Sequence, residues 1–169
     1  MSGNTFLKVA AIATVAGAAT IGFAQTNAPV AKLAAHSANV INLTQVGCQF
    51  IESENGKNLG YSPAKKADCV AINGKTGDKR LGEAKVLELE PGEHTFRVVN
   101  KNVPYELGFW LRSKGCDWRN PVHKLTKISV SGGGLVQRMS KDYTVTLQPG
   151  EYVYSCPLNT RPDYKLVVK

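Results

Sequence analysis

The stretch that decides the fold is Leu147-Gln148-Pro149-Gly150-Glu151-Tyr152-Val153-Tyr154-Ser155-Cys156-Pro157. Proline presets φ at the first position of a turn and glycine accepts positive φ at the second, so Pro149-Gly150 marks a sharp change of chain direction. Before it, Tyr143, Val145 and Leu147 fall on one face of a period-two pattern. After it, Tyr152, Tyr154 and Cys156 share a face in the same way. Two half-buried strands joined by a tight turn are expected here.

The same grammar recurs upstream. Leu87 and Leu89 alternate with Glu88 and Glu90, Pro91-Gly92 turns, and His94-Thr95-Phe96-Arg97-Val98-Val99 follows. This segment reads as the same hairpin solution used a second time. Ile41 and Leu43 alternate with Asn42 and Thr44 to give a first strand. Tyr105–Arg112 and Thr126–Ser131 supply further strands, and Tyr164, Leu166 and Val168 close the chain. About eight short strands, no long amphipathic helix and at most a helical turn over Pro63–Asp68 predict an all-β Greek-key sandwich.

The ends and the charge bound the cell biology. Val9–Ala24 is an almost unbroken run of small and apolar residues preceded by the single cation Lys8. Gly22 and Ala24 suit a signal peptidase, so residues 1–24 are expected to be a signal peptide cut after Ala24. The apolar run is shorter than the roughly 20 residues that span a bilayer, so no stable membrane insertion is expected after cleavage. Residues 25–38, which include His36, read as a flexible lead-in, and 39–169 as one domain. A periplasmic or secreted location follows. Cleavage removes Lys8 alone among charged groups and takes the formal charge from +8 to +7. The lysines are scattered, with Lys65-Lys66 the one adjacent pair, so nucleic acid is not an expected partner. An acidic periplasmic protein or a membrane complex is the expected class.

The four cysteines are Cys48, Cys69, Cys116 and Cys156. Cys48 and Cys69 flank a polar loop with no hydrophobic grip of its own, and a disulfide between them is expected. Closing a loop of that length contributes roughly 3 kcal/mol in the chain-entropy model.

Leu147–Pro157 resembles the last hairpin of cupredoxins, where a Pro-Gly turn leads into an aromatic-rich strand ending at the copper-binding cysteine. Phe96-Arg97-Val98-Val99-Asn100-Lys101-Asn102-Val103-Pro104-Tyr105-Glu106-Leu107 resembles the segment that delivers the family's first histidine: a strand, an Asn, a short loop, then His. The resemblance covers roughly residues 86–168, and the strand near 40–46 agrees with it. It implies a cupredoxin-type sandwich, with copper as the candidate cofactor.

The departures bear on chemistry. A blue-copper centre needs two imidazoles and a thiolate in a trigonal arrangement, with a weak axial ligand. Here Tyr105 stands at the first histidine position. Cys156 is followed by Pro157-Leu158-Asn159-Thr160-Arg161-Pro162-Asp163-Tyr164, and neither His nor Met occurs after Met139. The candidate set for a non-standard metal site is Cys156, Tyr105 and Asp163. Cys156 has three readings: a free thiol, a ligand in an altered site, or a disulfide partner of Cys116.

Other candidates are weaker. Cys116, Asp117 and His123 share a loop, but their spacing matches no zinc pattern. His94 reads as a packing or surface residue. Ser131-Gly132-Gly133-Gly134 lacks the Lys and Ser/Thr of a phosphate cradle and reads as a flexible connection. Trp110, inside the run Phe109-Trp110-Leu111, marks either a docking surface or a residue covered by the 48–69 loop. There is no constellation of an enzyme. Two functions are expected to compete: copper or metal handling, or electron transfer, through a non-standard site around Cys156; and a metal-free interaction or accessory module of a periplasmic transport or respiratory system.

Overall fold

Alternation along the strands sets the architecture of the computed structural model, which describes residues 39–169. The expected signal peptide 1–24 and lead-in 25–38 lie outside the described residues. Strands β1 (Asn39–Val46), β2 (Gln49–Phe50), β4 (Gly92–Asn100) and β7 (Ser140–Leu147) form one sheet in the order β2-β1-β4-β7. Strands β3 (Leu87–Leu89), β5 (Leu107–Ser113), β6 (Ser129–Leu135), β8 (Gly150–Cys156) and β9 (Asn159–Val168) form the other in the order β3-β9-β8-β5-β6. Leu43, Phe96, Val98, Tyr143 and Leu147 from the first sheet meet Phe109, Leu111, Tyr152, Tyr154, Tyr164 and Leu166 from the second in a single buried core. The chain is the all-β sandwich expected. Pairing is antiparallel except for β1 with β4 and β3 with β9, which run parallel.

Those parallel pairs expose what the turn residues do. The Pro-Gly turns do not close hairpins. β3 pairs with β9 while β4 pairs with β1 and β7, so Pro91-Gly92 carries the chain from one sheet to the other. Pro149-Gly150 does the same between β7 and β8. Gly92 and Gly150 take φ of 136° and 154°, the conformational freedom for which glycine stands there. A turn dipeptide fixes a bend; the apolar faces on either side then fix which sheet receives each strand.

The expectation of no long helix is corrected by α1, Lys66–Glu83. Its buried positions are Cys69, Asn73, Gly77 and Arg80, a helical stripe made almost wholly of polar or small residues. The Asp68 carboxylate accepts the amides of Ala64 (2.9 Å) and Lys65 (3.0 Å), so the helical turn expected over 63–68 is the entry to α1. The expected disulfide is present: Cys48 and Cys69 are bonded with a Cα–Cα distance of 5.0 Å, tying the β1–β2 turn to the first turn of α1.

A buried ion pair holds the same helix down. Arg80 and Glu54, each 7% exposed, meet at 3.0 Å through Nε and Oε1. Arg80 also reaches the Cys48 carbonyl (3.0 Å), and the Tyr164 hydroxyl donates to Glu54. Burial works against the Arg80 charge, but the hydrogen bond to Glu54 and the nearby Tyr164 outweigh it and hold its pKa up.

Two smaller corrections concern the β5–β6 connection. Pro121–Thr126 is a short helix, α2, capped by the Asn120 side chain, so the strand expected from Thr126 begins at Ser129. Ser131–Gly134 lies within β6, an edge strand, and is not a flexible connection.

Candidate site at the Cys156 pole

Cys156 ends β8 just past an irregularity in its register with β9. Backbone hydrogen bonds from Gly108, Leu158 and Asn159 converge on its sulfur. Burial pushes the thiol pKa up, opposed by those bonds and by the positive charge of Lys66. Gly108 is needed for this approach: a Cβ there would lie 2.5 Å from the Gly132 carbonyl oxygen and 2.9 Å from the Pro157 ring.

Tyr105 arrives from the β4–β5 loop. Asn100, fully buried, shapes that loop by accepting the Val103 amide (2.9 Å) and donating to the carbonyls of Val103 and Leu135 (3.1 Å each). The Tyr105 hydroxyl then donates to Cys69 Sγ at 3.1 Å. Burial raises the Tyr105 pKa, with smaller contributions from Cys156 and Asp68. Tyr105 and Cys156 line one small cavity of about 40 Å³ together with Gln45, Cys69, Leu107 and Pro162. The Gln45 amide nitrogen donates to the Gly108 carbonyl (2.9 Å), while its Oε1 is buried without a hydrogen-bond partner among the described residues.

Asp163 is not brought to this cavity. It follows Pro162 and precedes Tyr164, both of which line the cavity, so the period of two in β9 turns it to the opposite face. There it takes a two-pronged bond from Arg112, whose Nη2 lies 2.8 and 2.7 Å from its two oxygens. Arg112 also covers the Trp110 ring at 3.8 Å, and the Trp110 indole donates to Ser129 Oγ at 3.1 Å. Trp110 is half-buried.

Cys116 and Cys156 are both free thiols, so the bridge between them is excluded. The antiparallel register explains why: Ser113 pairs with Tyr152 and Trp110 with Ser155, which puts Cys116 beyond one end of β5 and Cys156 beside the other. The Cys116–His123 loop is internally satisfied, with the Asp117 amide donating to His123 Nδ1 at 2.9 Å. His94 is a packing residue, 1% exposed, with Nε2 2.8 Å from the Glu90 carbonyl oxygen. Among the described residues no group of three or more His, Cys, Asp or Glu is placed to hold a metal ion.

Two sheets in these strand orders, with β1–β4 and β3–β9 parallel, complete the sandwich that the sequence resemblance implied. The described residues form a two-sheet, mostly antiparallel β-sandwich. Auracyanin B is a similar solved structure, with a TM-score of 0.44 and 16% identity over 78% of this chain and 89% of that one. A multi-copper oxidase from Pediococcus acidilactici (TM-score 0.41) and a laccase from Pediococcus acidilactici Pa5930 (0.39) are each 11% identical over 79% of this chain. This chain spans only 27% of either oxidase. All three likenesses lie below a TM-score of 0.5. No family model matches the chain, and no curated protein matches it.

The donors at the cavity can now be weighed against copper. They are the Cys156 thiol, the phenols of Tyr105 and Tyr164, the Lys66 amine and the side-chain amides of Gln45, Gln49, Asn73 and Asn159, with the Tyr105 hydroxyl already committed to a disulfide sulfur. Cys48 and Cys69 are bonded to each other and supply no thiolate. His94 and His123 are not among the residues lining this cavity. A trigonal centre of two imidazoles and a thiolate does not fit this set.

Proposed function

We propose that this chain is an exported, non-catalytic module that uses a cupredoxin-like sandwich for binding and carries no blue-copper centre. The observation that carries this reading is the hydroxyl of Tyr105, the residue at the first histidine position of the sequence resemblance, which is spent on Cys69 Sγ. Export is supported by the apolar run Val9–Ala24 and by the Cys48–Cys69 disulfide, a bond that persists in oxidising compartments. Among the described residues no helix is long and apolar enough to cross a membrane. The test is metal analysis and visible absorption of protein isolated from its native compartment. Absence of stoichiometric copper and of an intense visible band is expected; one tightly held copper per chain overturns the reading.

One observation favours a second reading. The unpartnered Gln45 Oε1 and the Cys156 thiol face the same cavity, and a thiolate selects soft ions such as Cu(I). On this reading, Cu(I) added anaerobically to the purified chain removes Cys156 from the pool of titratable thiols. An unchanged thiol count ends it.

A further inference from the structure

The β5–β6 connection, residues 114–127, presents Leu125 at 89%, Val122 at 61% and Trp118 at 58% exposure, the three most exposed large apolar side chains among the described residues. Nothing in the Cys156 cavity uses them. The segment is not slack: Asn120 Oδ1 accepts the Val122 amide at 2.9 Å, Asp117 Oδ1 accepts the Arg119 amide at 2.9 Å, and the Lys127 amide donates to the His123 carbonyl at 2.9 Å. Val122 and Leu125 are three apart on α2 and therefore share a face. The apolar side chains are thus held outward by a local framework of capping and turn bonds.

The charged residues interleaved with them along the segment are mostly basic. Arg119, Lys124 and Lys127 are interleaved with Trp118, Val122 and Leu125, and Lys114 at the base of the segment is tied to Glu151 at 2.9 Å. Asp117 is the one acid in the segment, and its carboxylate is turned onto the Arg119 amide. The Arg119 guanidinium lies 5.3 Å from the centre of the Trp118 ring.

We propose that residues 114–127 dock the protein on an anionic phospholipid surface. At a bilayer boundary, tryptophan sits at headgroup level, aliphatic side chains enter the acyl edge, and lysine and arginine stay with the phosphates. Interleaving of those three classes on one short, pre-ordered segment fits that boundary, and pre-ordering lowers the entropic cost of docking. The attraction is electrostatic as well as apolar, so it weakens as salt screens it. The inference is independent of the metal question, because vesicle binding reads neither copper nor thiol.

The experiment is co-sedimentation of the chain, isolated from its native compartment, with vesicles of phosphatidylcholine alone or mixed with phosphatidylglycerol. Binding is expected to the mixed vesicles, to fall with added salt, and to drop about fivefold for Lys124→Gln or Lys127→Gln. Trp118→Ser combined with Leu125→Ser is expected to lose about tenfold or more while keeping the native urea midpoint. A readout that needs no variant is quenching of native tryptophan fluorescence by brominated phosphatidylglycerol. Absence of quenching, absence of partitioning, or equal partitioning of native and variant chains overturns the proposal. Retention on immobilised polyglutamate without vesicle binding also overturns it and assigns the segment to an acidic protein.

Discussion

The hydroxyl of Tyr105 donates a 3.1 Å hydrogen bond to Sγ of Cys69, a sulfur already bonded to Cys48. The loop that resembles a histidine-delivering segment is thereby fastened to the disulfide at the head of α1. Tyr105→Phe removes one half-exposed hydrogen bond and is expected to cost about 1 kcal/mol or less in urea unfolding, with metal content unchanged. Tyr105→His adds one imidazole to one thiol, and no intense blue band is expected on adding Cu(II).

Arg80 and Glu54 are buried together beneath α1. Arg80→Met leaves the Glu54 carboxylate buried and unpaired, and an expected loss of about 3–5 kcal/mol follows. Glu54→Leu combined with Arg80→Met removes both charges and is expected to lose much less than the two single changes together. A double-mutant cycle on urea midpoints checks this; additive losses would remove the pair from the account.

Much of the sandwich was legible because its last three strands carry large apolar residues at a period of two: Tyr143, Leu147, Tyr152, Tyr154, Tyr164 and Leu166 all lie in the core as their spacing required. α1 was not legible, because its buried stripe of Cys69, Asn73, Gly77 and Arg80 is anchored by a disulfide and an ion pair. A hydrophobic period of 3.6 never appears, and Gly74, Gly77 and Gly82 depress helix propensity further. The spacing 69, 73, 77, 80 was the signal present. At the site, Cys156 and Tyr105 were found from the sequence, whereas Gln45 was missed because a lone amide in β1 announces nothing until the fold places it over Gly108. Asp163 follows Cys156 closely in sequence, yet strand alternation in β9 turns it away from the cavity that Pro162 and Tyr164 line. Trp110 drew attention through its apolar run, yet Arg112 covers it, and the exposed tryptophan is Trp118.

The disulfide joins positions separated by 21 residues. Replacing both Cys48 and Cys69 by Ala is expected to cost about 3 kcal/mol, read as a lower urea midpoint than that of the oxidised native chain. An unchanged midpoint would mean that the ion pair alone anchors α1.

Alkaline pH is expected to weaken the fold. Burial pushes Tyr154 up from 10.0 to about 12, against the opposing hydrogen bond with Ser53, and burial pushes Cys156 above its ordinary 9.0. The folded chain therefore holds protons that the unfolded chain has released. This stabilisation is complete below the unfolded pKa values and is lost as pH rises through the folded ones. Urea midpoints should fall from about pH 9 upward, and Cys156→Ala should remove the early part of the fall. A midpoint rising with pH over that range would contradict the assignment.

Copper content of the natively isolated chain, determined with its visible spectrum on the same sample, decides whether the protein holds a blue-copper centre. Far less than one copper per chain and no intense band in the visible region are expected. A blue protein with one firmly bound copper would contradict that expectation.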